Sequence, residues 1–330
     1  MSHGIFAIDT GFHRDQFDAA YLLVQQGRAA FIDTGTAFAV PRLLGALPAL
    51  GLGPEAVDWV IPTHVHLDHA GGVGQLMRAL PRARVLVHPR GARHLIDPGM
   101  LWRGASAVYG ADEMARSYGE LLPVPAERVL STADGMVVHV GERALYFADT
   151  PGHARHCHCI WDESSRGWFT GDTFGLSYRE FDTARGPWIM PTATPVRFEP
   201  ELLEPTVRRL LARAPACMYL THYGRVTEVA RLGALLLDLL AQFVALGRST
   251  QAAIDGPGAR HEARHEARHE ALRAGQLEIL CASLAAHGCT LPRARVAELL
   301  AMDIELNAQG MALWLDRLDR LDRPGRPDQR

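Results

Sequence analysis

The stretch PTHVHLDHAGG, residues 62–72, places three histidines and an aspartate within the six positions from His64 to His69. It begins where the apolar run VDWVI, residues 57–61, stops. His64 and His66 are two apart, so at the end of a strand both point to the same side. Asp68 and His69 follow in the next turn, and Gly71 and Gly72 permit tight packing or a helix start. Imidazole and carboxylate together suit zinc, iron or manganese, and the lack of a local thiolate argues against a closed structural site. Four donors this close in sequence form two sets instead of a single tetrahedron.

Outward from this loop the chain reads as strands with helices between them. AAYLLVQQGRAAFIDTG is a hairpin turning at Gln26-Gly27, VVHVGERALYFADTPGH turns at Gly141-Glu142, and CHCIWDESSRGWFTGDT repeats the plan with a longer turn. VDWVI and ARVLVHP are short β-branched runs closed by proline or histidine, which predicts buried strands. EPELLEPTVRRLLARAP, residues 199–215, has helical periodicity and precedes the strand-like CMYLTH. Such an order predicts sheets covered on their outer faces by helices. Several strands close on polar groups: Asp33 in IDTG, His153 in DTPGH, Asp172 in TGDT and His222 in LTHYG. Strand ends that turn into loops are where sheet-based enzymes build sites.

The series His-x-His-x-Asp-His, then a histidine, an aspartate and a final histidine, resembles the metallo-β-lactamase superfamily over about residues 5–225. VHPRGARHLIDP and the GPW…P loop are similar to a little-characterised prokaryotic subgroup, which brings no known substrate. The resemblance implies an α/β fold, an αβ/βα four-layer sandwich with metals at one edge between two sheets. It implies that His64, His66 and His153 bind one metal, that Asp68, His69 and His222 bind a second, and that Asp172 bridges them. Asp33 would orient a ligand from behind, the usual arrangement around a metal-bound imidazole. Two divalent ions are implied, zinc first, with iron or manganese also suited. Asp68 and Asp172 would be the catalytic carboxylates, and metal-bound hydroxide would cleave an ester, thioester or lactone. Such a site favours a small anionic or carbonyl-bearing substrate. The alternative on the same fold is an oxygen-binding or oxygen-reducing di-iron protein. Flavin-partnered members of that class carry glutamate where this chain has His66.

Other subfamilies fit less well. Relatives that hydrolyse β-lactams carry a signal peptide, and MSHGIFAIDTGFHRDQ has no basic region followed by an apolar core. Glyoxalase II-type thioesterases hold glutathione with basic residues including lysine, and this chain has no lysine. Nuclease relatives carry an inserted domain for which the layout leaves no room.

After about residue 225 only helical periodicity remains, so a catalytic domain over 1–225 and a helical C-terminal extension over 226–330 are expected. IDGPGA, residues 254–259, reads as a linker, and the tail from residue 322 as frayed. RHEARHEARHEA, residues 260–271, reads as a solvated helix laced by side-chain ion pairs. The apolar stripes of the extension must be covered by the sandwich or by a second chain, which would make a homodimer.

A formal net charge of −3 without long single-sign blocks argues against nucleic acid or an anionic membrane as partner. The longest apolar runs, such as LGALLLDLLAQFVALG from Leu232, read as too short to span a bilayer. Five scattered cysteines fit reduced thiols, and the cytoplasm is the expected location. Cys157 and Cys159 are expected to be small core residues, and His88, His94 and His156 to be surface or hydrogen-bonded histidines. Two irregular, aromatic segments, 101–114 and 174–195, adjoin the ligand segments, making Trp102, Tyr109, Phe174, Tyr178 and Trp188 candidate pocket walls. Tyr178 or Tyr223 could donate a hydrogen bond to an oxyanion or leaving group.

Overall fold

The computed structural model describes residues 3–195, 197–254 and 261–322. The first sheet runs β1 (Ile5–Asp9), β2 (Ala19–Gln25), β3 (Arg28–Ile32), β4 (Val57–Ile61), β5 (Arg84–Val87) and β6 (Val129–Ser131), in that spatial order. The second runs β12 (Gly224–Val226), β11 (Cys217–Leu220), β10 (Gly167–Gly171), β9 (His158–Asp162), β8 (Arg143–Asp149) and β7 (Val137–Val140). Each sheet joins an antiparallel meander of hairpins to strands that run parallel, β3–β4–β5–β6 in the first and β10–β11 in the second. The three hairpins read from the sequence are the β2–β3, β7–β8 and β9–β10 pairs.

Strand alternation sorts each sheet into two buried faces. Tyr21, Leu23, Ile32 and Ile61 meet Leu145, Phe147, Ile160 and Phe169 between the sheets. On the outer face of the first sheet, Leu22, Phe31, Val60 and Val85 pack against α1 (Val40–Ala49) and α3 (Val73–Ala79). The outer face of the second sheet carries Trp161, Trp168 and Met218 against α7 (Pro200–Ala212) and the C-terminal helices. Helix, sheet, sheet, helix is the four-layer sandwich. Smaller helices, α2 (Leu67–Ala70), α4 (Pro89–Ile96), α5 (Gly99–Tyr109) and α6 (Ala111–Glu113), line the edge where the strands end.

The C-terminal helices are α8 (Val229–Ile254), α9 (His261–His287), α10 (Arg293–Leu299) and α11 (Ala301–Asp322). Their stripes are buried within the chain: Leu232, Leu236, Phe243, Leu280 and Trp314 share one apolar cluster with Trp161 and Trp168 of the second sheet. The expectation that the run from Leu232 is too short for a bilayer is corrected, because Val229–Ala253 is long and apolar enough by length and composition. The helix extends beyond the apolar run at both ends. The repeat tract also departs from a purely solvated helix. Arg268 is only 5% exposed; it pairs with Asp316 of α11 at 2.7 Å and donates to Gln251 of α8 at 3.1 Å. His269 meets Glu305 at 3.0 Å, so part of the tract is a docking face. Its first residue, the linker from residue 255 and the tail beyond residue 322 lie outside the described residues.

Gly310 fixes how α11 sits. A Cβ there would fall 1.6 Å from the carbonyl oxygen of Ala193, so only glycine lets the helix touch that loop. Gly310→Ala is expected to destabilise the chain by about 1–3 kcal/mol, because a backbone atom cannot turn aside as a side chain does. Urea unfolding measures this; an unchanged midpoint would contradict the packing.

Candidate metal centre

Parallel pairing brings the ligand-bearing strand ends together. Ile32 of β3 registers with Ile61 of β4, which sets Asp33 beside the loop of His64 and His66. Leu220 of β11 registers with Gly171 of β10, which sets His222 beside Asp172. Contacts between the sheets then close the edge: Ala19 donates to the carbonyl of Thr221 at 2.8 Å, and His158 to that of Thr63 at 3.0 Å. Gly171 makes the close approach possible. Its φ is +49°, and a Cβ would lie 2.4 Å from the Thr63 hydroxyl.

Seven side chains form two groups of donor atoms, His64, His66, His153 and Asp172 in one and Asp68, His69 and His222 in the other. In the first, Nε2 of His64 and Nε2 of His153 lie 2.9 and 3.1 Å from Nδ1 of His66, and Oδ2 of Asp172 lies 3.4 Å from Nε2 of His153. In the second, Oδ2 of Asp68 is 3.3 Å from Nε2 of His222 and 3.8 Å from Nε2 of His69. The other oxygen of Asp172, Oδ1, faces Nε2 of His69 at 3.3 Å and Nε2 of His222 at 3.7 Å. A tetrahedron with bonds of about 2.1 Å has edges of about 3.4 Å, so these separations fit a cation in each group. Nε2 of His69 and Oδ1 of Asp172 are buried without a hydrogen-bond partner among the described residues, as metal donors are before a metal arrives.

Electrostatics divides the imidazoles. Burial, then neighbouring histidines, holds His64 well below its ordinary pKa. Burial also takes His66 down to about 3 and His153 to about 4, leaving neutral rings with lone pairs to give. Burial works against charge on His69 and His222 as well, but Asp172 and the other carboxylates outweigh it. They raise His69 well above its usual value and His222 to about 9. Asp68 is correspondingly held down at about 2, its burial overcome by those same two histidines.

A hydrogen-bonded shell orients the donors. Oδ2 of Asp33 accepts from Nδ1 of His69 at 2.8 Å and from the Thr221 hydroxyl at 2.7 Å. Its Oδ1 accepts from the backbone N–H of Thr63 at 2.6 Å. Nδ1 of His222 donates to the carbonyl of Phe17 at 2.8 Å. Two nearby residues gave no signal of spacing. Asp18 is wholly buried, accepts from the Thr10 hydroxyl at 2.6 Å, and is pushed by burial up to about 7. His156, expected to be a surface or hydrogen-bonded histidine, accepts from the backbone N–H of Val65 at 3.5 Å and stands with its ring 5.4 Å from that of His66. Cys157 and Cys159 are buried outside both donor groups.

A cavity of about 760 Å³ opens on the donors, and His66, Asp68, Asp172 and His222 form its floor. Among the aromatic candidates, Tyr178 lines it, with its ring stacked on Phe17 and its hydroxyl donating to Asp303 of α11 at 2.9 Å. The other expectations are corrected. Phe174 and Trp188 are fully buried in the core under the C-terminal helices, where the indole N–H of Trp188 donates to Ser283. Trp102 packs on the cluster of Leu67, Met114 and Tyr118, behind the wall. Tyr223 does not line the cavity, and the side chain of Tyr109 lies outside the described ones. The walls come instead from α5, from the loop around Thr192 and Thr194, and from Met302, Asp303 and Leu306 of α11.

Comparison with known proteins agrees with this layout. A solved structure of an archaeal metallo-beta-lactamase superfamily protein from Sulfolobus tokodaii matches 94% of this chain and 99% of its own, with a TM-score of 0.63 and 19% identity. Human acyl-coenzyme A thioesterase MBLAC2 is 29% identical over 184 residues, which is 52% of this chain and 64% of that protein. Type A flavoprotein fprA of Rhodobacter capsulatus is 27% identical over 268 residues, 72% of this chain and 56% of the flavoprotein. The chain thus spans less than two thirds of either curated relative. The family described as the metallo-beta-lactamase superfamily matches residues 14–222, a span that takes in every donor of both groups. With the four-layer sandwich and the paired donor groups at its edge, the chain belongs to the metallo-beta-lactamase superfamily.

Proposed function

We propose that the chain is a dinuclear metal-dependent hydrolase acting on an acyl thioester. The observation that carries this reading is the pair of donor groups at the floor of a largely apolar cavity, with Asp172 of the first group also facing His69 and His222 of the second through Oδ1. His64, His66, His153 and Oδ2 of Asp172 would hold one divalent ion, and Asp68, His69, His222 and Oδ1 of Asp172 the other. Zinc is favoured, since imidazole and carboxylate donors at tetrahedral spacing suit it. Two such ions supply a nucleophilic water-derived oxygen at neutral pH and Lewis acidity toward a carbonyl.

The chain's own residues would do the rest. Asp33 and the carbonyl of Phe17 fix the tautomers of His69 and His222, so that Nε2 of each faces inward. Leu67, Leu101, Leu176, Met302 and Leu306 offer an apolar wall that takes an acyl chain and excludes water. The oxygen of water bonds to the acyl carbon, the C–S bond breaks, and a proton passes to the departing thiolate. A thioester is chosen over an oxygen ester or lactone on the support of the thioesterase relative.

Turnover of acyl thioesters, matched oxygen esters and lactones by zinc-loaded protein tests the reading. Thioester cleavage should be the fastest, vanish with a chelator and return with zinc. Two bound irons, with oxygen consumption and no hydrolysis, would replace this reading with the oxygen-binding one that the flavoprotein relative supports.

A further inference from the structure

A second cavity, of about 410 Å³, adjoins the first, and Arg155 and Arg197 line both. Arg317 and Arg320 of α11 line the second cavity as well. Two carboxylates stand among these four guanidinium groups. Glu199 pairs with Arg155, its Oε2 accepting from Nε at 2.7 Å, and Glu201 accepts from the indole N–H of Trp314 at 3.0 Å. Among the described residues, Arg197 and Arg320 make no ion pair. Arg317 donates to the carbonyl of Phe198, which anchors its guanidinium at the cavity wall. Burial first, and then the adjacent Arg197, Arg155 and Arg320, bring its pKa below the ordinary arginine value, against the opposing pull of Glu199. Four guanidinium groups against two carboxylates leave the cavity lining net positive, which a multiply charged anion would offset. Guanidinium forks match phosphate oxygens in pairs, so phosphate is the chemistry such a cluster recognises.

We propose that Arg155, Arg197, Arg317 and Arg320 form a phosphate subsite that holds a phosphorylated tail on the thiol portion of the substrate. This rests on the thioesterase reading for the word substrate. The cavity over the metal donors takes the acyl end, and Arg155 and Arg197 mark the passage to the phosphate end. The C-terminal extension thereby becomes part of the recognition surface, through two arginines one turn apart on α11. The tail could be the phosphorylated nucleotide of a soluble carrier thiol or the single phosphate of a protein-bound carrier arm.

The test uses the full metal-loaded chain and three thioesters with one acyl group, carried on coenzyme A, phosphopantetheine and pantetheine. The expected order of kcat/KM follows phosphate content. In R197A/R320A, whose side chains are exposed and make no ion pair among the described residues, the preference for coenzyme A over pantetheine should fall about tenfold or more. Separately, titration calorimetry with desulfo-coenzyme A, which has no thiol to bind metal, should show binding weakened about tenfold in the same variant. Equal rates for phosphopantetheine and coenzyme A would assign the subsite to a single phosphate. Indifference of the wild type to phosphate in both experiments would overturn the proposal. Arginine-dependent binding of desulfo-coenzyme A with no turnover of any thioester would instead overturn the hydrolase reading and support the subsite.

Discussion

Asp172→Ala is expected to lower turnover at least about a thousandfold and to leave fewer than two metals per chain. Asp172 belongs to the first donor group and also faces the second. Oδ2 stands 3.4 Å from Nε2 of His153, and Oδ1 stands 3.3 Å from Nε2 of His69. Alanine would take from each group the carboxylate oxygen that faces it and remove one of the two carboxylates at the site. The fold should persist, because Asp172 sits in the loop after β10, and the sandwich's core lies elsewhere. Circular dichroism and metal analysis on one sample separate these effects. A variant that keeps two metals and wild-type turnover would refute the bridging role.

Asp33→Ala should weaken metal binding by about 10–100-fold although Asp33 belongs to neither donor group. Its carboxylate is buried and fixes the ring of His69 through Nδ1 while also accepting from Thr63 and Thr221. Those two threonines belong to loops from different sheets, so the carboxylate ties the sheets together beneath the site. Its loss leaves buried donors unsatisfied, at about 1–3 kcal/mol for each one not rescued by water. Chelator competition reads the first effect, and urea unfolding of metal-free protein reads the second. An asparagine side chain keeps the shape and part of the hydrogen bonding, so Asp33→Asn should fall between wild type and Asp33→Ala on both scales. Equal metal affinity in all three proteins would show that Asp33 has no part in positioning the donors.

The site was legible in the sequence because its chemistry is local. His64, His66, Asp68 and His69 share one loop, and the remaining donors each close an apolar strand that periodicity identifies. The hairpins were legible for the same reason: Gln26-Gly27 and Gly141-Glu142 are turn pairs between alternating runs. The pocket was not. An aromatic residue in an irregular loop is as well suited to the core as to a cavity, and Phe174 and Trp188 went to the core. Asp303 and Arg317 reach the cavities from a helix more than a hundred residues away in sequence from Tyr178 and Arg197, so no spacing relates them. The repeat tract misled in a similar way. Identical RHEA units look equally solvated, yet only packing against α8 and α11 decides which arginine is buried.

Metal content of the purified full chain is the most direct test of the central claim, read by mass spectrometry after expression with both zinc and iron supplied. The account predicts two divalent ions per chain, zinc in both places, and a colourless protein. A chain that holds one ion or none, with its fold intact, would contradict it.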